Sequence, residues 1–169
     1  ARLCHPYFDR SYKHFCSHRQ TPVDKETDLP AILRNGQVIY VTAPLFGAYA
    51  RHAYGVYRQI IGNCLDLLLP VPLVRMKAPS FVQAYVLRRT EAFVLHLLSY
   101  VPERRAPNLD VIEDRIALHT MDIAFRADQA VKRVYLAPQE TELAFCVEDG
   151  VIHCTVPVLD GHQMIVFAD

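Results

Sequence analysis

The densest set of side chains able to ligate a metal or act as nucleophiles lies near the start of the sequence: Cys4, His5, His14, Cys16 and His18. In an extended segment His14, Cys16 and His18 line one face, because side chains alternate along a strand. Zinc accepts imidazole and thiolate together in a tetrahedron. The spacing matches no common zinc pattern such as paired Cys-x-x-Cys, and neither a fourth ligand nor a supporting shell can be read beside it. A polar loop of hydrogen-bonding side chains packed against a neighbour accounts for the same residues. Cys16 beside His14 or His18 could form a thiolate–imidazolium pair, but no orienting third group or oxyanion site accompanies it. No metal and no cofactor is assigned; His14, Cys16 and His18 are the metal candidates the sequence offers.

Acid/base cleavage of a glycoside with retention needs two carboxylates about 5–5.5 Å apart. The nearest local pairs are Glu113 with Asp114, Glu140 with Glu142, and Glu148 with Asp149. Neighbours on a strand point to opposite faces, so Glu113 and Asp114 cannot converge without a bend. Solvated charges at turns and edges are the ordinary reading of all three pairs, and no catalytic residue is assigned. Arg104-Arg105, like Arg88-Arg89, could meet an acidic partner, so Arg104 and Arg105 join His14, Cys16 and His18 as candidate contact or cleft-rim residues. Asn35-Gly36, Asp149-Gly150 and Asp160-Gly161 are turn dipeptides, and no glycine-rich nucleotide motif is present. Tyrosines such as Tyr40, Tyr54, Tyr85 and Tyr135 could stack on sugars. Tryptophan is absent, and most of the tyrosines fall at helical or strand-core positions, so packing is the first expectation for them.

The elements that must position these residues change in kind along the chain. Residues 1–36 show no sustained period. Val38-Ile39-Tyr40-Val41 is a short apolar run, read as a buried strand. A helix over 48–69 follows, with Tyr49, Ala53, Val56, Ile60, Cys64 and Leu68 on one stripe, and Pro70 and Pro72 end it. A strand and a helix are the unit of an α/β layered domain, yet one such unit cannot cover both faces of a parallel sheet. The first third therefore reads as the tail of a domain that begins elsewhere.

Beyond Pro72 the period shortens to that of strands. Segments 81–87, 93–100, 115–120, 123–126, 133–136, 142–147, 151–156 and 163–167 are expected strands, and 102–114 is expected to be a charged excursion. Short strands with regular turns predict an antiparallel sandwich. The fold class expected is α+β: an antiparallel β-sandwich over 73–169, preceded by a partial α/β unit over 1–72.

Acidic and basic residues balance at 18 each, which argues against nucleic-acid or membrane-surface binding. The five cysteines form no disulfide framework. Across a turn at Asp149-Gly150, a two-residue loop sets Cys146 opposite His153 and Cys154 opposite Phe145, with the sulfurs on opposite faces; a three-residue loop leaves them diagonal, about 7–8 Å apart. Neither allows a bridge. Reduced thiols point to the cytoplasm.

Several segments carry a resemblance. They are Pro6-Tyr7-Phe8-Asp9-Arg10, His14-Phe15-Cys16-Ser17-His18, Gly36-Gln37-Val38-Ile39-Tyr40, His96-Leu97-Leu98-Ser99-Tyr100-Val101-Pro102-Glu103-Arg104-Arg105, Lys132-Arg133-Val134-Tyr135-Leu136-Ala137-Pro138, and Gly161-His162-Gln163-Met164-Ile165-Val166-Phe167. In this order they resemble the C-terminal half of glycoside hydrolase family 42-type, β-galactosidase-like proteins and their hypothetical-glycosidase relatives. The resemblance implies a catalytic (β/α)₈ barrel outside this chain, the end of a flavodoxin-like trimerisation domain over 1–72, and a small C-terminal sandwich over 73–169. It implies a non-catalytic support and assembly region of a bacterial hydrolase, in a homo-oligomer with the remainder of the parent. The alternative is a carbohydrate-binding sandwich.

Overall fold

The change of period at Pro70–Pro72 coincides with a division of the chain in the computed structural model, which separates Ala1–Val71 from Pro72–Asp169. The structure describes residues 1–7 and 21–169. No described helix is long and apolar enough to cross a membrane. The fold is α+β, mostly antiparallel sheet with two helices.

Among the described residues, the first unit holds two hairpins and two helices. Strands β1 (Arg2–Pro6) and β2 (Val23–Pro30) pair antiparallel. Strands β3 (Ile32–Asn35) and β4 (Val38–Val41) pair antiparallel too, with Asn35 opposite Val38 across a turn at Gly36, whose φ of 57° favours glycine. Backbone bonds from Ala31 N–H to Ala1 O (2.9 Å) and from Thr42 N–H to Ala31 O (3.0 Å) tie the hairpins together. The strand expected at 38–41 is present, but it is not buried, since Val38 and Tyr40 are exposed, and it lies in a hairpin and not beside a parallel neighbour. Its partner is too short and too polar to show a period, and the Asn35-Gly36 turn joins the two directly.

The helix expected over 48–69 is two helices, α1 (Leu45–His52) and α2 (Gly55–Leu68). Ala53 takes a left-handed conformation (φ 52°), and its N–H bonds back to Tyr49 O, closing α1. Tyr54 is extended and Gly55 opens α2. Glycine is about 1 kcal/mol poorer than alanine inside a helix, so a break beside Gly55 is inexpensive. The break lets residues of both helices line one cleft beside β4.

The second unit is a sandwich of two antiparallel sheets. The four-stranded sheet has the order β13-β14-β10-β5, from β5 (Val74–Met76), β10 (Leu118–Arg126), β13 (Phe145–Glu148) and β14 (Val151–Leu159). The five-stranded sheet has the order β12-β11-β15-β7-β6, from β6 (Val82–Arg88), β7 (Ala92–Ser99), β11 (Arg133–Ala137), β12 (Thr141–Glu142) and β15 (His162–Ala168). Alternate residues of each sheet meet in one core. Phe125 of β10 stacks on Phe167 of β15 (centroids 4.2 Å apart) and meets Phe93 of β7 edge-on (5.4 Å), so three rings join the sheets.

Two local departures have clear causes. The expected strands 115–120 and 123–126 are one strand, β10. Its irregular point is Thr120, with φ 56°, at the register position of Pro157, which has no N–H to give the ladder. The excursion 102–114 holds a hairpin of β8 (Glu103–Ala106) and β9 (Leu109–Val111). It is exposed on both faces, so its sequence carries no alternation. At Asp149-Gly150 both φ angles are positive (49° and 77°), as a two-residue hairpin turn requires. Phe145 lies opposite Cys154 and Cys146 opposite His153, so one sulfur is buried in the core and the other exposed.

Candidate functional site

Two of the acidic candidates, Glu113 and Glu142, are surface partners of arginines. Glu113 and Glu103 both pair with Arg105, the second at 2.9 Å. Glu142 accepts a hydrogen bond from Arg133, which holds that guanidinium above its ordinary range. The Arg133 guanidinium also lies 4.3 Å from the Tyr135 ring centre. Glu140 sits in the turn before β12 with φ 55°, and Glu148-Asp149 run into the β13–β14 turn. Arg104 binds Asp110 at 2.5 Å and donates to Pro107 O at 2.6 Å. Arg104 and Arg105 are thus matched within their own hairpin.

His14, Cys16 and His18 lie outside the described residues. Cys4 is exposed, and its register partner is Glu26. Among the described residues no three His, Cys, Asp or Glu side chains come together as a metal site. Of the thiols, Cys154 alone among the described residues is buried, and burial pushes it up to about 11. It is an inert core group.

Two surfaces have the shape of binding sites. In the first unit, a cleft of about 530 Å³ lies between β4 and the helices, walled by Ile39, Val41, Leu45, Ile61, Leu65 and Leu68 among others. It contains no carboxylate and no cation. Leu45 is buried there, whereas α2 has no fully buried residue and Leu65 and Leu67 stand open to solvent.

In the second unit, the outer face of the five-stranded sheet is mixed in character. Core parity sends Leu95 and Leu97 inward and turns His96 outward on β7. His96 and His162 meet across β7 and β15, with Nδ1 of the first 3.0 Å from Nε2 of the second and ring planes within 9° of parallel. Tyr85 stands opposite His96 on β6 and donates its hydroxyl to Gln83 Oε1 at 2.8 Å. Depressions of about 330 Å³ and 620 Å³ flank this polar group. Tyr40, Tyr54 and Tyr85 are exposed instead of packed, contrary to the sequence expectation. β4 and β6 each show a face to solvent, so a strand position alone does not decide burial. The meeting of His96 with His162 joins residues 66 apart, and no local signal announces it.

Comparison with solved structures gives a strong likeness to a glycoside hydrolase. The chain superposes on α-L-fucosidase isoenzyme 2 from Paenibacillus thiaminolyticus with a TM-score of 0.89 and 31% identity, over 99% of this chain and 26% of that one. The chain thus spans about a quarter of the length of this glycoside hydrolase, and its fold is that of part of such an enzyme. A cycloisomaltooligosaccharide glucanotransferase from Paenibacillus sp., in complex with cycloisomaltoheptaose, matches 56% of the chain at 17% identity and a TM-score of 0.44. A likeness that low carries no argument. No protein-family model matches the chain, and neither does any curated protein.

Proposed function

We propose that the chain is a non-catalytic C-terminal support and assembly region of a bacterial glycoside hydrolase, with an α-L-fucoside as the parent's first candidate substrate. The observation that carries this is the match of nearly the whole chain to a quarter of an α-L-fucosidase. The β-galactosidase-like resemblance of the sequence segments makes an aryl β-galactoside the second substrate to assay. Absence of a role in the chemistry accords with the arginine-paired, exposed carboxylates.

The assembly role has its support in the first unit. A soluble chain rarely leaves an apolar patch of more than a few hundred Å² open, and the cleft beside α2 calls for cover from the remainder of the parent or from a second copy. An isologous pairing is the commonest way for copies to provide it. Nucleic acid and membrane are not among the proposed partners, given the balanced charge. The unbridged Cys146 and Cys154 favour residence in the cytoplasm.

The test is Leu65→Asp in the full parent enzyme, followed by sedimentation and by turnover of an aryl α-L-fucoside. The expected result is a loss of mass toward the protomer with kcat/KM retained. An unchanged oligomer contradicts the pairing of copies through this cleft; an intact oligomer with abolished turnover contradicts the non-catalytic role.

A further inference from the structure

We propose that the outer face of the five-stranded sheet carries a subsite for a neutral sugar, centred on Gln83, Tyr85, His96 and His162; the choice of a sugar among hydroxylated ligands rests on the glycosidase reading above. The first reason is the pattern of free hydrogen-bonding positions. The His96–His162 contact joins one nitrogen of each ring. A neutral imidazole has one N–H and one bare nitrogen. If His96 Nδ1–H donates, then His96 Nε2 is left as an acceptor and His162 Nδ1–H as a donor. With the opposite tautomers the two roles exchange. In either case the neutral pair offers the solvent one donor and one acceptor.

The second pair behaves alike. Tyr85 donates its hydroxyl to Gln83 Oε1, which leaves the Gln83 amide N–H groups as donors and the Tyr85 oxygen as an acceptor. Gln83, Leu98 and His162 form one row across β6, β7 and β15, and Tyr85, His96 and Met164 form the next. With strands about 4.8 Å apart, the group covers about 10 Å, the width of a small saccharide. Sugar hydroxyls are each donor and acceptor at once, which suits this mixed array. None of the four side chains is a carboxylate, lysine or arginine, so the group selects no ion by charge.

The third reason is what flanks it. One depression is walled by Phe81, Tyr100 and Pro102 and shares Gln83 with the polar group. The other is lined by Tyr135, Val94 and Val166 and by the cations Arg88 and Arg89, and shares His96. Apolar and aromatic walls beside a few directed polar groups are the usual make-up of a small-molecule site, and the C–H faces of a pyranose fit such walls. The polar groups stand on three adjacent hydrogen-bonded strands, β15, β7 and the edge strand β6, so little ordering is needed on binding.

The test titrates the intact chain with methyl α-L-fucoside, methyl β-D-galactoside and, as a non-sugar polyol, myo-inositol, followed by amide and imidazole NMR shifts. The expected result is saturable millimolar binding of a glycoside, with shifts on β6, β7 and β15. Tyr85→Phe and His96→Ala should each weaken it by about three- to tenfold, one neutral hydrogen bond's worth. Tyr85→Phe keeps the ring, so it reads the hydroxyl without disturbing the sheet. Absence of saturable shifts, shifts confined to other surfaces, or equal binding of myo-inositol would overturn the inference. If the parent hydrolyses aryl glycosides while this face binds none, this inference fails alone. Binding by the face with an inert parent supports it and contradicts the proposed function.

Discussion

Phe125 and Phe46 are both phenylalanines in regular secondary structure, yet one is fully buried and the other is 75% exposed. The contrast extends to their units. Among the described residues, Leu45 is the single buried hydrophobic of Ala1–Val71, and the others belong to Pro72–Asp169. The sandwich covers its own apolar residues because two sheet faces meet. Among the described residues, the first unit has amphipathic helices and short hairpins but no second layer to bury them. A cooperative transition is expected of a region with its own core, whereas a region of open contacts opens locally at lower free energy.

The largest expected effect is at the ring junction. Phe125→Ala removes the ring between Phe93 and Phe167 and should cost the sandwich about 3–5 kcal/mol, read as a lower denaturant midpoint. Phe46→Ala should change the same midpoint by no more than about 0.5 kcal/mol. A comparable loss from both would erase the distinction between the units.

Alkaline pH sharpens the comparison. The Cys154 thiol is raised from an ordinary 9.0 to about 11 by burial. Its contribution is fully present below the unfolded value. It declines as pH rises from there, because the unfolded chain then releases the proton first, and it is lost as pH passes through the folded value. At about 1.36 kcal/mol per unit, the decline is roughly 2–3 kcal/mol. Denaturation midpoints across this window should fall for the natural chain and fall less for Cys154→Ala. A thiol reagent should modify Cys4 and Cys146 in the folded chain and reach Cys154 only on unfolding.

The smallest expected effect is at the β8–β9 hairpin. Arg105→Ala breaks its ion pairs with Glu103 and Glu113, which are half-exposed, and should cost about 0–1 kcal/mol, less at high salt. A cost several times larger would mean that the hairpin supports the core.

Much of the sandwich was legible because each core strand presents one dry face. Ile152, Cys154 and Val156 alternate with outward residues, and Asp149-Gly150 marks the turn between β13 and β14, whereas the choice between a two- and a three-residue loop, and with it the register, comes from the structure. Strands β1, β2, β3, β8 and β9 were not legible: all are exposed on most sides, so no hydrophobic period marks them. The stripe of α2 was visible, but its break from α1 rests on a left-handed Ala53, a residue that does not advertise that conformation. Of the candidate site residues, Arg104 and Arg105 were found without the acids that hold them. Gln83, Tyr85, His96 and His162 passed unnoticed as a group, since strand order, and not local spacing, brings them together.

The most direct test of the chain's place in a glycosidase is turnover by the chain itself. Rigorously purified protein, incubated with aryl α-L-fucoside and aryl β-galactoside beside its intact parent, should release no more aryl alcohol than buffer while the parent hydrolyses one of them. Turnover by the isolated chain that persists through successive purifications and disappears on unfolding would contradict a non-catalytic role.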